Sequence, residues 1–374
     1  MVMKNNYGKL AKEILGFAGI QIDGSHPWDI QVHNQEFYKR AITEGPVGVG
    51  ESYMDGWWDV EKLDEFISKI VRARLDLKIQ RKVSVLFRLA TLRIINLQSK
   101  ERAFIVGEKH YDLGNDLFQN MLDPLMNYSC GYWKNATNLK EAQENKLHLI
   151  CQKLYLQPGM RVLDIGCGWG AFGKYAAEKY KVEVVGVTVS KEQLEFGEKL
   201  CTELPVEFRL MDYRELNEQF DRVVSVGMFE HVGEKNYRTY FEVANRCLKD
   251  DGLFLLHTIG RIRSPKVIDP WTHKYIFPNA QLPSAIQIDK AIEGLFVMED
   301  WHNFGPDYDK TLMAWHENFI RNWDKIKSQY SERFFRMWTY YLLSSAGSFR
   351  ARRNQLWQVV LSKNGIPGGY QSLR

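Results

Sequence analysis

The sequence predicts an α/β protein: a doubly wound, mainly parallel sheet joined to a smaller, mainly helical N-terminal domain. Three observations carry that prediction. Apolar strand-like runs alternate with helical patterns from about residue 145 to residue 258, the order that builds a parallel sheet with helices on both faces. A glycine-rich turn, Gly166-Cys167-Gly168-Trp169-Gly170, stands between one of those runs and a helix. Upstream, Asp59 to Val106 contains neither Gly nor Pro and repeats apolar residues at helical spacing,.

The elements follow in order. Residues 1–50 combine short helical patterns with turn residues at Gly24, Pro27 and Gly45-Pro46,. Residues 61–98 read as mostly helix, with Leu63, Phe66, Ile67 and Ile70 and then Val85, Leu86, Leu89 and Leu92 on the apolar side. A boundary near 98–106 divides the chain into domains of residues 1–100 and 106–374, as expected when domains average about 150 residues. The second domain reads as helix Asn145–Leu154, strand Arg161–Ile165, helix Ala171–Lys179, strand Val182–Val187, helix Lys191–Leu200, strand Val206–Leu210, strand Asp221–Val226, helix Tyr237–Leu248 and strand Gly252–Thr258. After Gly260 the chain reads as irregular and aromatic, then helical again from about Thr311 to Met337.

Composition narrows the class. Of 374 residues, 45% are hydrophobic and 26% charged, which fits a globular protein. No run approaches the about 18 apolar residues of a membrane span. The start shows no secretory signal, and five cysteines without a C-x-x-C pair form neither a disulfide framework nor a zinc site,. The expected compartment is the cytoplasm. The net charge of +4 is unevenly spread. Residues 69–109 carry 11 Lys/Arg against 3 Asp/Glu, and residues 321–374 carry 10 against 2. Arg72, Arg74, Lys78, Arg81, Lys82, Arg88 and Arg93 give the first segment its charge. A basic amphipathic helix suits an anionic bilayer surface, or is simply a solvated face. No nucleic-acid motif accompanies it, so no nucleic-acid partner is expected.

The turn itself points to a nucleotide cofactor. Its glycines let the backbone approach a ligand closely. The spacing is G-x-G-x-G rather than the dinucleotide G-x-G-x-x-G, and Asp164 precedes the first glycine by two residues. The full string Asp164-Ile165-Gly166-Cys167-Gly168-Trp169-Gly170 favours S-adenosylmethionine (SAM), with Asp164 facing a cationic end of the ligand. After the second strand, Thr188 occupies the place of the usual ribose-binding acid and Gln193 is a nearby amide. After the third strand, Asp212 can accept from an adenine amino group, or cap the following turn, and Tyr213 can stack.

These residues, with several longer strings, resemble the cyclopropane-fatty-acyl-phospholipid synthase family. The strings are Glu51-Ser52-Tyr53-Met54-Asp55-Gly56-Trp57-Trp58, Tyr111-Asp112-Leu113-Gly114-Asn115, Tyr128-Ser129-Cys130, Phe229-Glu230-His231-Val232-Gly233, His257-Thr258-Ile259-Gly260, Asp269-Pro270-Trp271, Lys274-Tyr275-Ile276-Phe277-Pro278 and Trp301-His302-Asn303-Phe304-Gly305. The resemblance implies a SAM-methyltransferase sheet behind an N-terminal lipid-binding domain, with acyl-pocket insertions towards the C-terminus. It implies methylene transfer from SAM to the cis double bond of unsaturated acyl chains in membrane phospholipids, through a carbocation deprotonated by a bound bicarbonate. It maps the bicarbonate ligands onto Cys130, Glu230, His257, Ile259 and Tyr308, with the backbone rather than the thiol of Cys130 engaged. It places Tyr128 and Ser129 on the methionine carboxylate, and Gly166, Gly168 and Gly170 along the cofactor's face. It also implies a homodimer working from the cytoplasmic side of the membrane. Some relatives carry a cysteine where this chain has Ser345, so no thiol nucleophile is expected there. A lipid methyltransferase giving methyl-branched or hydroxylated chains is the alternative.

Overall fold

Strands buried on both faces need apolar residues at nearly every position, and the central strands of the sheet follow that rule. The computed structural model describes residues 4–75, 114–264 and 269–374. The chain opens with α1 (Lys4–Gly16), α2 (Glu36–Glu44), α3 (Pro46–Met54) and α4 (Leu63–Arg72). Among these helices, β1 (Gln31–Val32) and β2 (Trp58–Asp59) form a short antiparallel pair. After α5 (Gly114–Met121) and α6 (Leu139–Lys153) come the strands of the main sheet. They are β3 (Arg161–Ile165), β4 (Glu183–Thr188), β5 (Val206–Leu210), β6 (Phe220–Val226), β7 (Leu248–Arg261), β8 (Val297–Asn303) and β9 (Asn354–Ser362). They form one seven-stranded sheet in the order β5-β4-β3-β6-β7-β9-β8. β5, β4, β3, β6 and β7 are mutually parallel, while β9 runs antiparallel to both β7 and β8.

Alternate residues of these strands feed two separate cores. On one face lie Leu163, Ile165, Val185, Val187, Val223, Phe254, Leu256 and Val359. They pack with Tyr240, Phe241 and Ala244 of α9 (Tyr237–Cys247) and with Ile288 and Ile292 of α11 (Ala285–Ile292). Their neighbours Val162, Val184, Val224, Leu253, Leu255 and Val360 pack on the other face. That face is covered by Leu147 and Ile150 of α6 and by Phe172 and Ala176 of α7 (Ala171–Tyr180). The next helix, α8 (Lys191–Leu200), follows β4.

Cα packing separates the described residues into two units. One holds 118–264, 279–314 and 354–374, including the whole seven-stranded sheet. The other holds 4–75, 114–117, 269–278 and 315–353, and so includes α10 (Pro270–Tyr275). The sequence reading places 269–278 and 315–353 within its larger domain; the structure packs them with the N-terminal helices. The reason lies in the side chains. Trp58, fully buried, meets the rings of Phe37, Tyr53 and Phe66 at 5.8, 5.2 and 5.3 Å. Tyr53 meets Tyr340 of α13 (Glu332–Arg350) at 5.5 Å, and Tyr340 meets Trp271 at 4.6 Å. Glu51 accepts from Lys274 at 2.5 Å and from the Tyr275 hydroxyl at 2.7 Å. The Glu51–Trp58 string is therefore scaffold.

One further difference from the sequence reading stands out. The sheet continues beyond residue 258, through β8 and β9. Of the mostly helical stretch expected over 61–98, α4 covers Leu63–Arg72 and ends in a turn without Gly or Pro, Arg74 taking a left-handed φ of 48°; residues 76–98 lie outside the described residues. Lys78, Arg81, Lys82, Arg88, Arg93, the 98–106 boundary and Tyr111-Asp112-Leu113 lie outside the described residues. No described helix is long and apolar enough to cross a membrane.

Candidate active site

The candidate residues gather where the parallel strands end, the edge that binds ligands in open α/β sheets. β3 delivers Asp164, then the glycine turn. The N–H groups of Gly166 and Cys167 both donate to the Val187 carbonyl, at 3.0 and 3.1 Å, and Gly170 N–H donates to Cys167 O at 3.0 Å. Gly170 has φ of 89°, and a Cβ there would lie 2.6 Å from Phe208 Cζ. Gly168, at φ of 54°, faces open space instead. Asp164 is 3% exposed, and burial pushes its carboxyl up to about 7 against the opposing pull of the Lys146 ammonium.

The next two strand ends are arranged differently from each other. Thr188 donates to Gln193 Oε1 at 2.9 Å, so those two residues do come together. Asp212 takes the capping role: its carboxylate accepts from Arg214 N–H at 3.0 Å and holds the guanidinium at 2.9 and 2.6 Å. That pairing keeps its carboxyl below the ordinary range. Tyr213 packs edge-on against Tyr240 at 5.5 Å.

The segment preceding α6 supplies the fourth wall. Asp123 accepts the N–H groups of Leu125 and Asn127 at 3.0 and 2.8 Å. Tyr128 meets Phe118 at 5.1 Å, and Phe118 meets Trp169 of the glycine turn at 5.0 Å. Ser129 is held from α6 at two points: Gln143 donates to its carbonyl at 2.7 Å and Lys146 to its hydroxyl oxygen at 3.1 Å. Beyond it, Thr311 accepts from Gly131 N–H at 3.1 Å and Trp133 Nε1 at 2.9 Å. Thr311 and Tyr308 sit on α12 (Pro306–Ile326). Tyr308 is buried, and its N–H donates to Gly305 O at 3.1 Å.

Glu230 and His257 form the polar centre. Glu230 Oε1 accepts from Ile259 N–H at 2.6 Å, and Oε2 is buried without a hydrogen-bond partner among the described residues. Burial raises the carboxyl to about 7, with the Ile259 bond pulling the other way. His257 is fully enclosed and held well below its usual range by burial and then by Lys146, Lys153 and His302, so the ring is neutral. Gln358 Nε2 lies 3.3 Å from His257 Nδ1. With that amide donating, the ring proton sits on Nε2, itself buried and unpartnered among the described residues,. Gly227 joins this centre to the cofactor edge. Its N–H donates to His257 O at 2.9 Å, and a Cβ on it would meet Ser129 Cβ at 3.8 Å.

One sequence expectation changes. The Ile259 N–H donates to Glu230 rather than standing free for an anion. The Cys130 thiol donates to Gly131 O at 3.2 Å, and burial raises it well above its usual value, which leaves it no nucleophilic role. The structure adds Lys146, Gln143, Thr311 and Gln358, which sequence reasoning misses. Lys146 has a signal: it lies on the stripe of Ala142, Leu147 and Ile150 that faces the core.

The mycolic acid cyclopropane synthetase family model matches residues 98–359. Cyclopropane-fatty-acyl-phospholipid synthase of Escherichia coli (strain K12) is 57% identical over 373 residues, 100% of this chain and 97% of that protein. The chain belongs to the cyclopropane synthase family. A solved structure of the mycolic acid cyclopropane synthase CmaA1 complexed with SAH and CTAB matches at a TM-score of 0.64 and 34% identity, over 68% of this chain and 96% of that one. Coclaurine N-methyltransferase, bound to N-methylheliamine and SAH, gives a TM-score of 0.68 at 24% identity over 85% and 99%; that likeness speaks for the fold alone. As a cyclopropane synthase family member the chain is a SAM-dependent enzyme, and its site fits that cofactor: the turn is open beside Gly168, and a buried carboxyl stands at its root.

Proposed function

We propose that this enzyme adds a one-carbon unit from SAM across the cis double bond of an unsaturated acyl chain in a membrane phospholipid, closing a cyclopropane ring. The observation that carries the reading is the pair of buried atoms Glu230 Oε2 and His257 Nε2, both unpartnered among the described residues and one strand end away from Ser129 and the glycine turn. When bound, SAM supplies the carbon as an electrophilic sulfonium methyl.

An alkene is a weak nucleophile, so the chain's main contribution is orientation, which can supply about 7–11 kcal/mol. In this reading Asp164 holds the amino group of the cofactor and Tyr128 with Ser129 its carboxylate. Gly166, Gly168 and Gly170 line its face. Thr188 and Gln193 take the ribose hydroxyls. Tyr213 stacks on adenine, and Asp212, whose oxygens keep further lone pairs beyond Arg214, accepts from its amino group. Transfer places positive charge on an acyl carbon, and neighbouring aromatic faces stabilise such a cation by about 0.5–2 kcal/mol each.

The proton lost on ring closure needs an acceptor. We assign it to a bicarbonate held at Glu230 and His257. His257 Nε2–H donates to one oxygen. Glu230, near neutrality in its pKa, shares a proton with the anion instead of repelling it. The backbone at Cys130 and the Tyr308 hydroxyl complete the set. The basic segments, residues 69–109 and 321–374, bring the enzyme to an anionic bilayer from the cytoplasmic side, and a homodimer would double that docking surface.

The test is SAH release from SAM in the presence of phospholipid vesicles. Vesicles with cis-unsaturated chains should support release, and fully saturated vesicles should not. Equal release with both would exclude the double bond as the acceptor.

A further inference from the structure

Lys146 is a lysine with almost no access to water: it is 1% exposed, in the middle of α6. Its ammonium donates to Asn127 Oδ1 at 2.7 Å and to Ser129 Oγ at 3.1 Å, both neutral oxygens. No carboxylate lies within ion-pair distance of it among the described residues, and Asp123, Cys130 and Asp164 act on it only through space. Burial lowers it to about 8, so at neutral pH it is still mostly charged. A buried charge with only neutral ligands is costly unless an anion completes its surroundings.

The bond to Ser129 also has a direction. An ammonium only donates, so the Ser129 oxygen must accept, and the hydroxyl proton is left to point elsewhere. Gln143 fixes the same residue through its carbonyl, and Asn127 is in turn tied to Asp123 by its amide at 2.9 Å and its N–H at 2.8 Å. Ser129 is therefore a hydroxyl whose position is set from α6 and whose proton is turned away from Lys146.

We propose that Lys146 is a positioning residue for the amino-acid end of SAM: its ammonium makes Ser129 an obligate donor towards the cofactor carboxylate and supplies the positive charge which that carboxylate balances. This rests on the reading of the glycine turn and Ser129 as the SAM site.

The test compares two ligands on the full-length protein by calorimetry: SAH, and the analogue that lacks only its carboxylate. Wild type should bind both. Lys146→Met should weaken SAH about tenfold or more, the size of a lost charge-assisted bond, while the decarboxylated analogue stays within about twofold. Ser129→Ala should show the same selectivity, and adding Lys146→Met to it should weaken SAH by less than Lys146→Met does alone, since the part of the effect that passes through Ser129 is already lost. If Lys146→Met does not fold, Lys146→Gln keeps an N–H donor without the charge and should give a smaller loss with the same selectivity. Equal weakening of both ligands, or unchanged SAH binding, overturns the proposal. Failure of wild type to bind SAH would instead overturn the cofactor site itself.

Discussion

Glu230 receives the Ile259 N–H on one carboxylate oxygen at 2.6 Å and keeps its other oxygen buried and unpartnered among the described residues. A group so placed is anchored at one end and available at the other. Glu230→Gln keeps the shape and the acceptor for Ile259 but cannot share a proton in the same way. Turnover is expected to fall by about 10²–10⁴-fold, the usual range for lost acid–base function, with SAH affinity within about threefold of wild type. A comparable collapse of SAH affinity would move Glu230 into the cofactor site. In the same assay, rigorous removal of bicarbonate should slow the wild type, and an unchanged rate would remove the anion from the mechanism.

Asp164 ties cofactor binding to pH. Its carboxyl titrates at about 7 in the fold, and the anion is the form that pairs with an amino group. SAH affinity should therefore fall as pH drops below about 7, approaching tenfold per pH unit, and level off above it. Asp164→Asn should bind weakly with a flat profile between pH 5.5 and 7.5. The folded state holds this proton more tightly than the unfolded chain, so the carboxyl costs stability as pH rises from about 4 to 7. The ligand-free Asn variant should accordingly have the higher Tm at pH 8. A lower Tm there would mean that the carboxylate is better compensated than its burial implies.

Gln358 Nε2 faces His257 Nδ1 at 3.3 Å, and with that amide donating the ring proton falls on Nε2. Gln358→Glu replaces the donor to Nδ1 with an acceptor and should shift the proton to Nδ1, turning Nε2 from donor to acceptor. Turnover should drop at least about tenfold while SAH binding stays within about twofold, and ¹⁵N spectra of the ring should report the changed tautomer. A fully active variant with the altered tautomer would mean that His257 Nε2–H is not used.

A second buried lysine, unlike Lys146, has a carboxylate partner. Lys153 lies 3.3 Å from Asp300 and 3.1 Å from His302 Nδ1, and Asp300 also holds Arg374 at 2.6 and 2.7 Å. Asp300→Asn leaves both cations without their carboxylate. The expected loss is about 3–5 kcal/mol in urea unfolding. A loss below about 1 kcal/mol would show that His302 and water suffice.

The basic segment makes a prediction that depends on salt. Charge reversal at several of Arg72, Arg74, Lys78, Arg81, Lys82, Arg88 and Arg93 should weaken binding to anionic vesicles, most at low ionic strength where surface charge is least screened. Binding equal to wild type at low salt would make these residues an ordinary solvated face.

Much of the fold is legible in the amino-acid order alone. The core strands announce themselves as short apolar runs, and the Asp164–Gly170 turn marks both the fold and the cofactor. β8 is not legible, because Val297–Asn303 interleaves Glu299, Asp300 and His302 with apolar residues and pairs on one side only, with β9. The end of α4 at Arg72 is hidden because a left-handed Arg74, rather than Gly or Pro, terminates it. The packing of the Glu51–Trp58 string is not legible either, since its ion pair to Lys274 and ring contact to Tyr340 are long-range contacts that no local pattern encodes. The destination of the Ile259 N–H is likewise invisible, because a backbone donor carries no side-chain signature.

Ring formation on a lipid double bond is measured by incubating the purified protein with SAM and vesicles of unsaturated phosphatidylethanolamine, followed by gas chromatography–mass spectrometry of the released fatty acids. Acyl chains heavier by one CH₂ are expected, with the double bond replaced by a cyclopropane ring. Methyl-branched or hydroxylated chains, or SAM left unconsumed, would contradict it.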